Sequence, residues 1–385
     1  MIPASNGIPG DLISYNGTRL TQRDYKAMTT LESELGRAIP HTKESSVGFE
    51  AYQGKVISLR LNDLGLTTLP DAIGELIGLR SFSTMNNALS SIPSSIGGLR
   101  NLLELGLRNN QLTTLPEEIG KLAALEQLDI EHNQLEVLPE SFSELGKLEV
   151  LWANHNRLKM LPEQIGAMKD LRKFYLYDNL LGEIPDSIGR LAKLEHLELK
   201  KNELKAIPSQ IGKLSRLRYL SLWFNAIDQL PEEFWDLKNL QVLNLRSNKL
   251  SEISARIGNL QQLQELYLDS NHLRNLPAKI GGLSKLTILK LNKNELRYLP
   301  ETIAGLSALK KLWLRENFLV ELPDTFCELQ ELRDLDLQLN QLSSLPEDFG
   351  KLSSLRHVWL DRNRFTNDNI PALKDLRTRG CQISL

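Results

Sequence analysis

From Val56 onward the chain repeats one pattern of apolar and polar positions every 23 residues. One copy, Leu102 to Ala124, reads LLELGLRNNQLTTLPEEIGKLAA. In it Leu102, Leu105, Leu107, Asn110, Leu112, Leu115, Pro116, Ile119, Gly120 and Leu122 are the recurring letters. Copies start at 56, 79, 102, 125, 148, 171, 194, 217, 240, 263, 286, 309, 332 and 355, with no insertion between them. A fixed period of this length is the signature of a solenoid, in which each unit packs only on its neighbours. The first third of each copy alternates with period two, so it predicts a short strand with one buried face. Stacked copies place these strands in one parallel sheet, and fourteen strands about 4.8 Å apart make an arc on the order of 60 Å. With positions counted from 1 to 23 in each copy, the strand directs positions 3, 5, 7 and 8 away from the core.

The fixed letters explain themselves as scaffold. The ninth position is Asn in thirteen of fourteen copies, Asn87 to Asn363, with Leu64 as the exception. A buried amide there can satisfy backbone groups of its own and the adjoining coil. The fifteenth is Pro in twelve copies, with Ser254 one exception. Proline fixes φ and lacks an N–H that this bend need not donate. Ile or Phe at position 18 and Leu at 21 complete the core. Gly usually fills position 19, but Ser143, Trp235, Ala304 and Cys327 replace it.

The flanks differ from the repeats. Residues 1 to about 20, with Pro3 and Pro9, read as irregular. A helix is expected over about 21–36, with Thr21 as N-cap, Asp24 at the capping-box position and Gly36 just past its end. Tyr25, Met28, Leu31 and Leu35 give that helix one apolar face. A hairpin is expected over about 47–61, turning at Gln53-Gly54. Residues 1–55 thus form an N-terminal cap, 56–365 the repeats, and 366–385 a C-terminal cap of one short helix and a tail. Caps would cover the end strands' open hydrogen-bonding groups.

The string LxxLxLxxNxLxxLPxxIGxLxx resembles the leucine-rich-repeat family. Its LPxxIGxL half, as in Leu115 to Leu122, is similar to the intracellular Ras-associated type. The resemblance covers Val56 to about Arg377. It implies an α/β solenoid: a horseshoe of about 14 repeats with the parallel sheet on its concave side, where partners bind. It also implies a protein partner, with a small GTPase or a signalling enzyme as the kind to expect. The first 55 residues match no cap of that family.

Composition narrows the class without naming a function. The chain is 41% hydrophobic and 24% charged with a net charge of −2. That balance makes no case for nucleic acid or an anionic membrane. No apolar run is long enough to span a bilayer. MIPASNGIPGDLIS lacks the basic and apolar regions of a secretory leader. Cys327 and Cys381 are not a disulfide framework, and Cys327 is expected to be buried. The expectation is a cytoplasmic, monomeric protein without a cofactor. Asn16-Gly17-Thr18 fits a glycosylation triplet but equally a tight turn. No GxxxxGK[ST], HExxH or GxSxG occurs, so no catalytic residues are assigned.

Candidate chemistry therefore lies in the variable letters. Four of the five tryptophans and four of the eight tyrosines fall on positions 3, 5 or 7. The core letters are aliphatic, so these aromatics are not core filling. The candidate partner-binding residues are Trp152, Tyr175, Tyr177, Glu198, Tyr219, Trp223, Phe224, Arg246, Tyr267 and Trp313. Trp, Tyr and Arg are the usual hot-spot residues. The alternative is that the aromatics only stack strand on strand, at about 0.2–1 kcal/mol per pair. Glu126, Asp129, Glu131 and Glu149 form an acidic flank. Lys290, Lys293, Lys310, Lys311 and Arg315 form a basic one, partly offset by Glu316. His132, His155 and Asp178, at position 8 of three successive copies, could ligate zinc. The leading expectation is a scaffold for a protein partner. A glycan or peptidoglycan receptor using the same aromatics, or the recognition arm of a larger enzyme, is the alternative.

Overall fold

The alternation in each copy condenses into a strand of three residues covering positions 3 to 5. Position 4 is buried and its neighbours face out, as in Val150–Trp152 and Glu265–Tyr267. The computed structural model describes residues 12–366 and 371–385. The expected irregularity of residues 1–11 lies outside the described residues. The chain divides into two units, Met1–Leu180 and Leu181–Leu385.

In the first unit the strands Lys55–Leu61, Ser81–Ser83, Glu104–Gly106, Gln127–Asp129, Val150–Trp152 and Lys173–Tyr175 pair in parallel order. Their register advances by one repeat per strand, so Ser83, Gly106, Asp129, Trp152 and Tyr175 stand in one row. Val47–Tyr52 runs antiparallel to Lys55–Leu61 and occupies its outer edge. Gln53 and Gly54 turn that hairpin with φ of 48° and 77°, the left-handed pair a two-residue hairpin needs. Gln22–Leu35 is the helix. Thr21 caps it, and Gly36 ends it at φ 64° with its N–H on the Glu32 carbonyl. Asp24 does not close the expected reciprocal box. The Thr21 N–H goes to the Gly54 carbonyl (2.7 Å), and the Asp24 carboxylate accepts from the Thr21 hydroxyl (2.9 Å) and the Val56 N–H (2.7 Å). The cap residue thus ties the helix to the first repeat. Residues 12–20 are also more ordered than their composition suggested. Ile13–Tyr15 and Thr18–Leu20 form a hairpin turned at Asn16 and Gly17. The Asn16 amide donates to Glu32 and the Ile39 carbonyl, both at 3.0 Å.

In the second unit parallel strands follow from His196–Glu198 to His357–Trp359 in the same register. The C-terminal segment corrects the expected tail. After a short helix, Lys374–Thr378, the strand Gln382–Ser384 pairs in parallel with His357–Trp359.

Both units share two backbone devices. The Asn ladder is the first. The Asn271 side-chain oxygen accepts from Leu250 N–H at 3.1 Å. Its amide donates to the Leu245 and Leu268 carbonyls at 3.0 Å each. Asn133 makes the matching bonds to Leu112, Leu107 and Ile130. Within each unit the coils are thereby bonded one to the next. The second device is the turn of five residues after Pro, for example Glu117–Lys121, whose Ile119 N–H returns to the Pro116 carbonyl at 3.0 Å. At several of the glycines in position 19, Gly74, Gly120, Gly189, Gly212 and Gly281, the next turn packs too closely for a side chain. A Cβ on Gly212 would lie 2.0 Å from the Glu233 carbonyl oxygen. Trp235 breaks that rule while remaining buried at 1% exposure. The turn that follows it, Ala255–Asn259, starts from Ser254, whose hydroxyl caps the Arg256 N–H at 3.2 Å. A cleft of about 620 Å³ lies beside Trp235, Leu230 and Ile253.

Candidate functional site

The face of each sheet turned away from the leucine core carries the variable letters; it is called the open face below. Each repeat ends its strand by bending at position 8, and there every residue from Asp63 to Arg362 is left-handed, with φ from 51° to 59°. None of these residues is glycine. An L-residue there costs roughly 1–2 kcal/mol. The Asn ladder beside it holds the bend in place. His132, His155, Asp178 and Phe224 all sit at this strained position. The composition contained a signal for it: the fourteen residues include no Val, Ile, Thr or Pro. Those types are the least able to adopt positive φ.

In the first unit the open face is a hydrogen-bonded network. His132 stacks on His155 with ring centroids 4.1 Å apart. His155 meets the Asp178 carboxylate at 2.6 Å through Nδ1 and the Tyr177 hydroxyl at 3.0 Å through Nε2. Both imidazole nitrogens of His155 are thus engaged. Among the described residues no group of three or more His, Cys, Asp or Glu could hold a metal ion, so the zinc expectation for His132, His155 and Asp178 is not carried further. Burial, then the neighbouring His155 and Arg108, holds His132 below the usual imidazole pKa. Arg108 pairs with Glu131 at 2.6 Å, and Glu131 also accepts from the Asn154 amide. Trp152 and Tyr175 stack in parallel planes at 6.2 Å. Burial raises the Asp129 carboxyl, although the Glu131 N–H it accepts works the other way.

In the second unit aromatics alternate with cations. Arg246 lies over Trp223 at 5.4 Å. Lys290 lies over Tyr267 at 5.2 Å and over Trp313 at 4.1 Å, with Lys311 over Trp313 at 5.9 Å. The Tyr267 hydroxyl donates to Glu265 at 2.5 Å; burial and that carboxylate together raise its pKa. Tyr219 stacks on His196 at 4.1 Å. Burial alone would raise the Glu198 carboxyl. The His196 and Lys200 contacts, both 3.2 Å, outweigh it and lower the value. Phe224 is 60% exposed beside Trp223. The Trp223 indole N–H and the Ser221 hydroxyl are buried and have no hydrogen-bond partner.

The candidate residues therefore separate into two groups. Trp152, Tyr175 and Tyr177 share the first unit with the histidines. Glu198, Tyr219, Trp223, Phe224, Arg246, Tyr267 and Trp313 share the second. The strand-on-strand stacking offered as an alternative is present in both. It leaves the exposed Phe224 and the unpartnered Trp223 N–H unaccounted for. Two apolar features beyond the position-8 bend, at positions 10 and 13, were not anticipated from the sequence. Tyr298 and Phe318, at 52% and 46% exposure, flank a groove with Arg274 and Arg297. Met160 is exposed at 53%.

Parallel coils tied by an Asn ladder, with a variable open face, define a repeat scaffold. Sequence-family models agree: one described as a leucine-rich repeat region matches residues 102–179 and 209–291, and one described as a leucine rich repeat matches 169–227 and 307–365. A leucine-rich-repeat protein of Leptospira interrogans is 31% identical, with TM-score 0.60 over 85% of this chain and 95% of that one. The chain belongs to the leucine-rich-repeat proteins. PEPR1–AtPEP1 is 28% identical with TM-score 0.81; the match covers 94% of this chain and 55% of that one. The plant peptide hormone receptor RGFR1, in complex with RGF2, is 28% identical with TM-score 0.52, covering 85% of this chain and 67% of that one. Among curated protein sequences no match was found. No helix among the described residues is long and apolar enough to cross a membrane.

Proposed function

We propose that this chain is a non-catalytic interaction protein that captures a protein or peptide partner on its open face. The observation that carries the reading is the Trp223–Phe224 pair. Phe224 is mostly exposed in a backbone state that disfavours it, and the neighbouring Trp223 N–H and Ser221 hydroxyl lack partners. Each buried unsatisfied group costs about 1–3 kcal/mol, and two such groups fall at this corner, where a partner's polar atoms would satisfy them. Arg246, Tyr267 and Trp313 extend the surface in the same unit, and Trp152, Tyr175 and Tyr177 present a second one in the first unit. The plant peptide hormone receptor RGFR1, in complex with RGF2, shares this fold, which supports the partner class.

The finer reading is an intracellular partner in small-GTPase or related signalling. It is supported by the Ras-associated form of the LPxxIGxL half-repeat and by two cysteines that are buried and unpaired. Burial pushes the Cys327 thiol up to about 11, which suits an inert core position. A glycan reading is less favoured, because cations already cover Trp313 and Tyr267 where a sugar would stack.

Affinity capture from the source cell, followed by mass spectrometry, tests the proposal. The Trp223→Ala, Tyr175→Ala double variant is expected to keep its urea midpoint near that of the parent and to lose the specifically captured protein. Undiminished capture by the double variant overturns the reading.

A further inference from the structure

The row Ser83, Gly106, Asp129 and Trp152 crosses four adjacent strands of the first unit. Two small residues, one carboxylate and one indole in that order leave a hollow of about 250 Å³ on the open face. That is below the roughly 300–1,000 Å³ of a small-molecule pocket, so it suits one side chain rather than a whole ligand. The floor is Ser83 and Gly106. The flexible end of Met85 leans over Gly106, where a Cβ would meet its terminal methyl at 2.5 Å. Trp152 forms one wall, with Tyr175 stacked on it. Asp129 stands between floor and wall, and Glu104 lines the rim, accepting from the Ser81 hydroxyl at 3.2 Å.

The charges decide what the hollow takes. The nearby cation, Arg108, is held by Glu131 at 2.6 Å, while Asp129 has no ion pair among the described residues. Burial disfavours the charged form of Asp129. A cation entering from a partner would restore that form. The indole face of Trp152 is the best cation–π surface a protein offers, and the Met85 thioether suits an alkyl stem.

Resting on the reading that the open face is where a partner lies, we propose that this hollow is a specificity pocket for one basic side chain, arginine or lysine, of the partner. The aliphatic stem lies against Met85, whose flexible end it displaces from over Gly106. The charged head lies between the Trp152 face and the Asp129 carboxylate.

The test needs no knowledge of the partner. The full chain, labelled with nitrogen-15, is titrated with the end-blocked pentapeptide glycine-serine-arginine-serine-glycine and with its lysine and norleucine counterparts. The arginine and lysine peptides are expected to move the Gly106 amide and Trp152 indole signals saturably at millimolar concentration. The norleucine peptide is not. Gly106→Leu, which fills the hollow by displacing only the ends of Met85 and Ser83, abolishes the response. Asp129→Asn keeps the acceptor for the Glu131 N–H and weakens binding about two- to fivefold. It carries the test if Gly106→Leu fails to fold. Equal shifts with norleucine, no shift with arginine, or an unchanged Asp129→Asn variant overturns the proposal. Capture that depends on Trp223 while the arginine peptide leaves Gly106 unmoved removes the pocket and keeps the open-face reading. Capture indifferent to Trp223 and Tyr175, with Gly106 responsive, removes that reading instead.

Discussion

The two units are built from the same repeat, yet their open faces solve opposite problems. In the first, polar side chains at positions 7 and 8 bond from strand to strand. Asp63, Asn86 and Asn109 form one run, with Asn86 and Asn109 each donating to the preceding side chain at 3.0 and 2.8 Å. His132, His155 and Asp178 form the next. That surface is largely satisfied by itself, and a cavity lies beside Trp152. In the second, Arg246, Lys290 and Lys311 rest on indole and phenol rings, while Phe224 projects into solvent. A cation–π contact is worth about 0.5–1 kcal/mol at exposed sites. It holds a charge in place without quenching it. Hydrogen bonds dominate the first face; the second adds stacked cations to a shorter bonded run of its own, Arg315 to Gln338 to Asp361. One scaffold thus supports both because its stability resides in the ladder beneath.

The largest expected effect tests that last statement. Asn133→Ala and Asn271→Ala each strand several buried backbone groups. They are expected to lower stability by about 3–5 kcal/mol each, by equal amounts in the two units. Urea denaturation followed by circular dichroism checks it. A much smaller loss in one unit would mean that its open face contributes stability of its own.

Next is binding. Trp223→Ala is expected to weaken partner capture by about 2 kcal/mol, read as a Kd by calorimetry once the partner is in hand. Tyr298→Ala, at position 13 and outside the strand's open face, is expected to leave that Kd unchanged. Equal losses from both would dissolve the distinction between the open face and the rest.

Phe224→Asn comes third. Asn tolerates positive φ, and little burial is lost, so stability is expected to rise by about 0.5–1 kcal/mol while capture falls. Phe224→Val is expected to destabilise. Parallel melting curves and Kd values would show whether strain and binding share this residue.

The smallest effect concerns pH. The His132 pKa is lowered in the fold, so the unfolded chain binds more protons. The contribution is therefore fully present above the ordinary imidazole value and fades as pH falls through it. Because His132 is only partly buried at the surface, solvent screening limits it to a few tenths of a kcal/mol. His132→Asn is expected to remove that part of the dependence between about pH 7 and 5. An unchanged stability profile would count against the histidine stack as a source of it.

Much of the fold was legible because the period is exact in length. Asn, Pro and Leu at fixed offsets identify the coil, and alternation identifies the outward letters. The helix over Gln22–Leu35 and the Gln53-Gly54 turn follow from local capping and turn chemistry. What was not legible has physical reasons. Ile13–Leu20 pairs through backbone bonds that its Gly- and Ser-rich flank does not advertise. Gln382–Ser384 is a strand because the edge at His357–Trp359 accepts it, a tertiary cause. The left-handed bend at position 8 left only a trace, the missing β-branched residues. His132, His155 and Asp178 share a register as ligands would, but the Tyr177 hydroxyl claims the imidazole nitrogen a metal would need. The hollow at Gly106 was hidden for another reason. Its repeat lacks aromatics, and the wall belongs to Trp152, two copies later.

The bend at position 8 also limits how the protein can diversify. Positions 3, 5 and 7 accept any side chain a strand accepts. Position 8, at the lip of every coil, admits only residues that endure a left-handed backbone. A valine, isoleucine or proline arriving there by mutation would be rejected for its conformation before its contacts mattered. The lip is therefore written in a restricted alphabet, and retargeting the protein by design should begin one residue earlier.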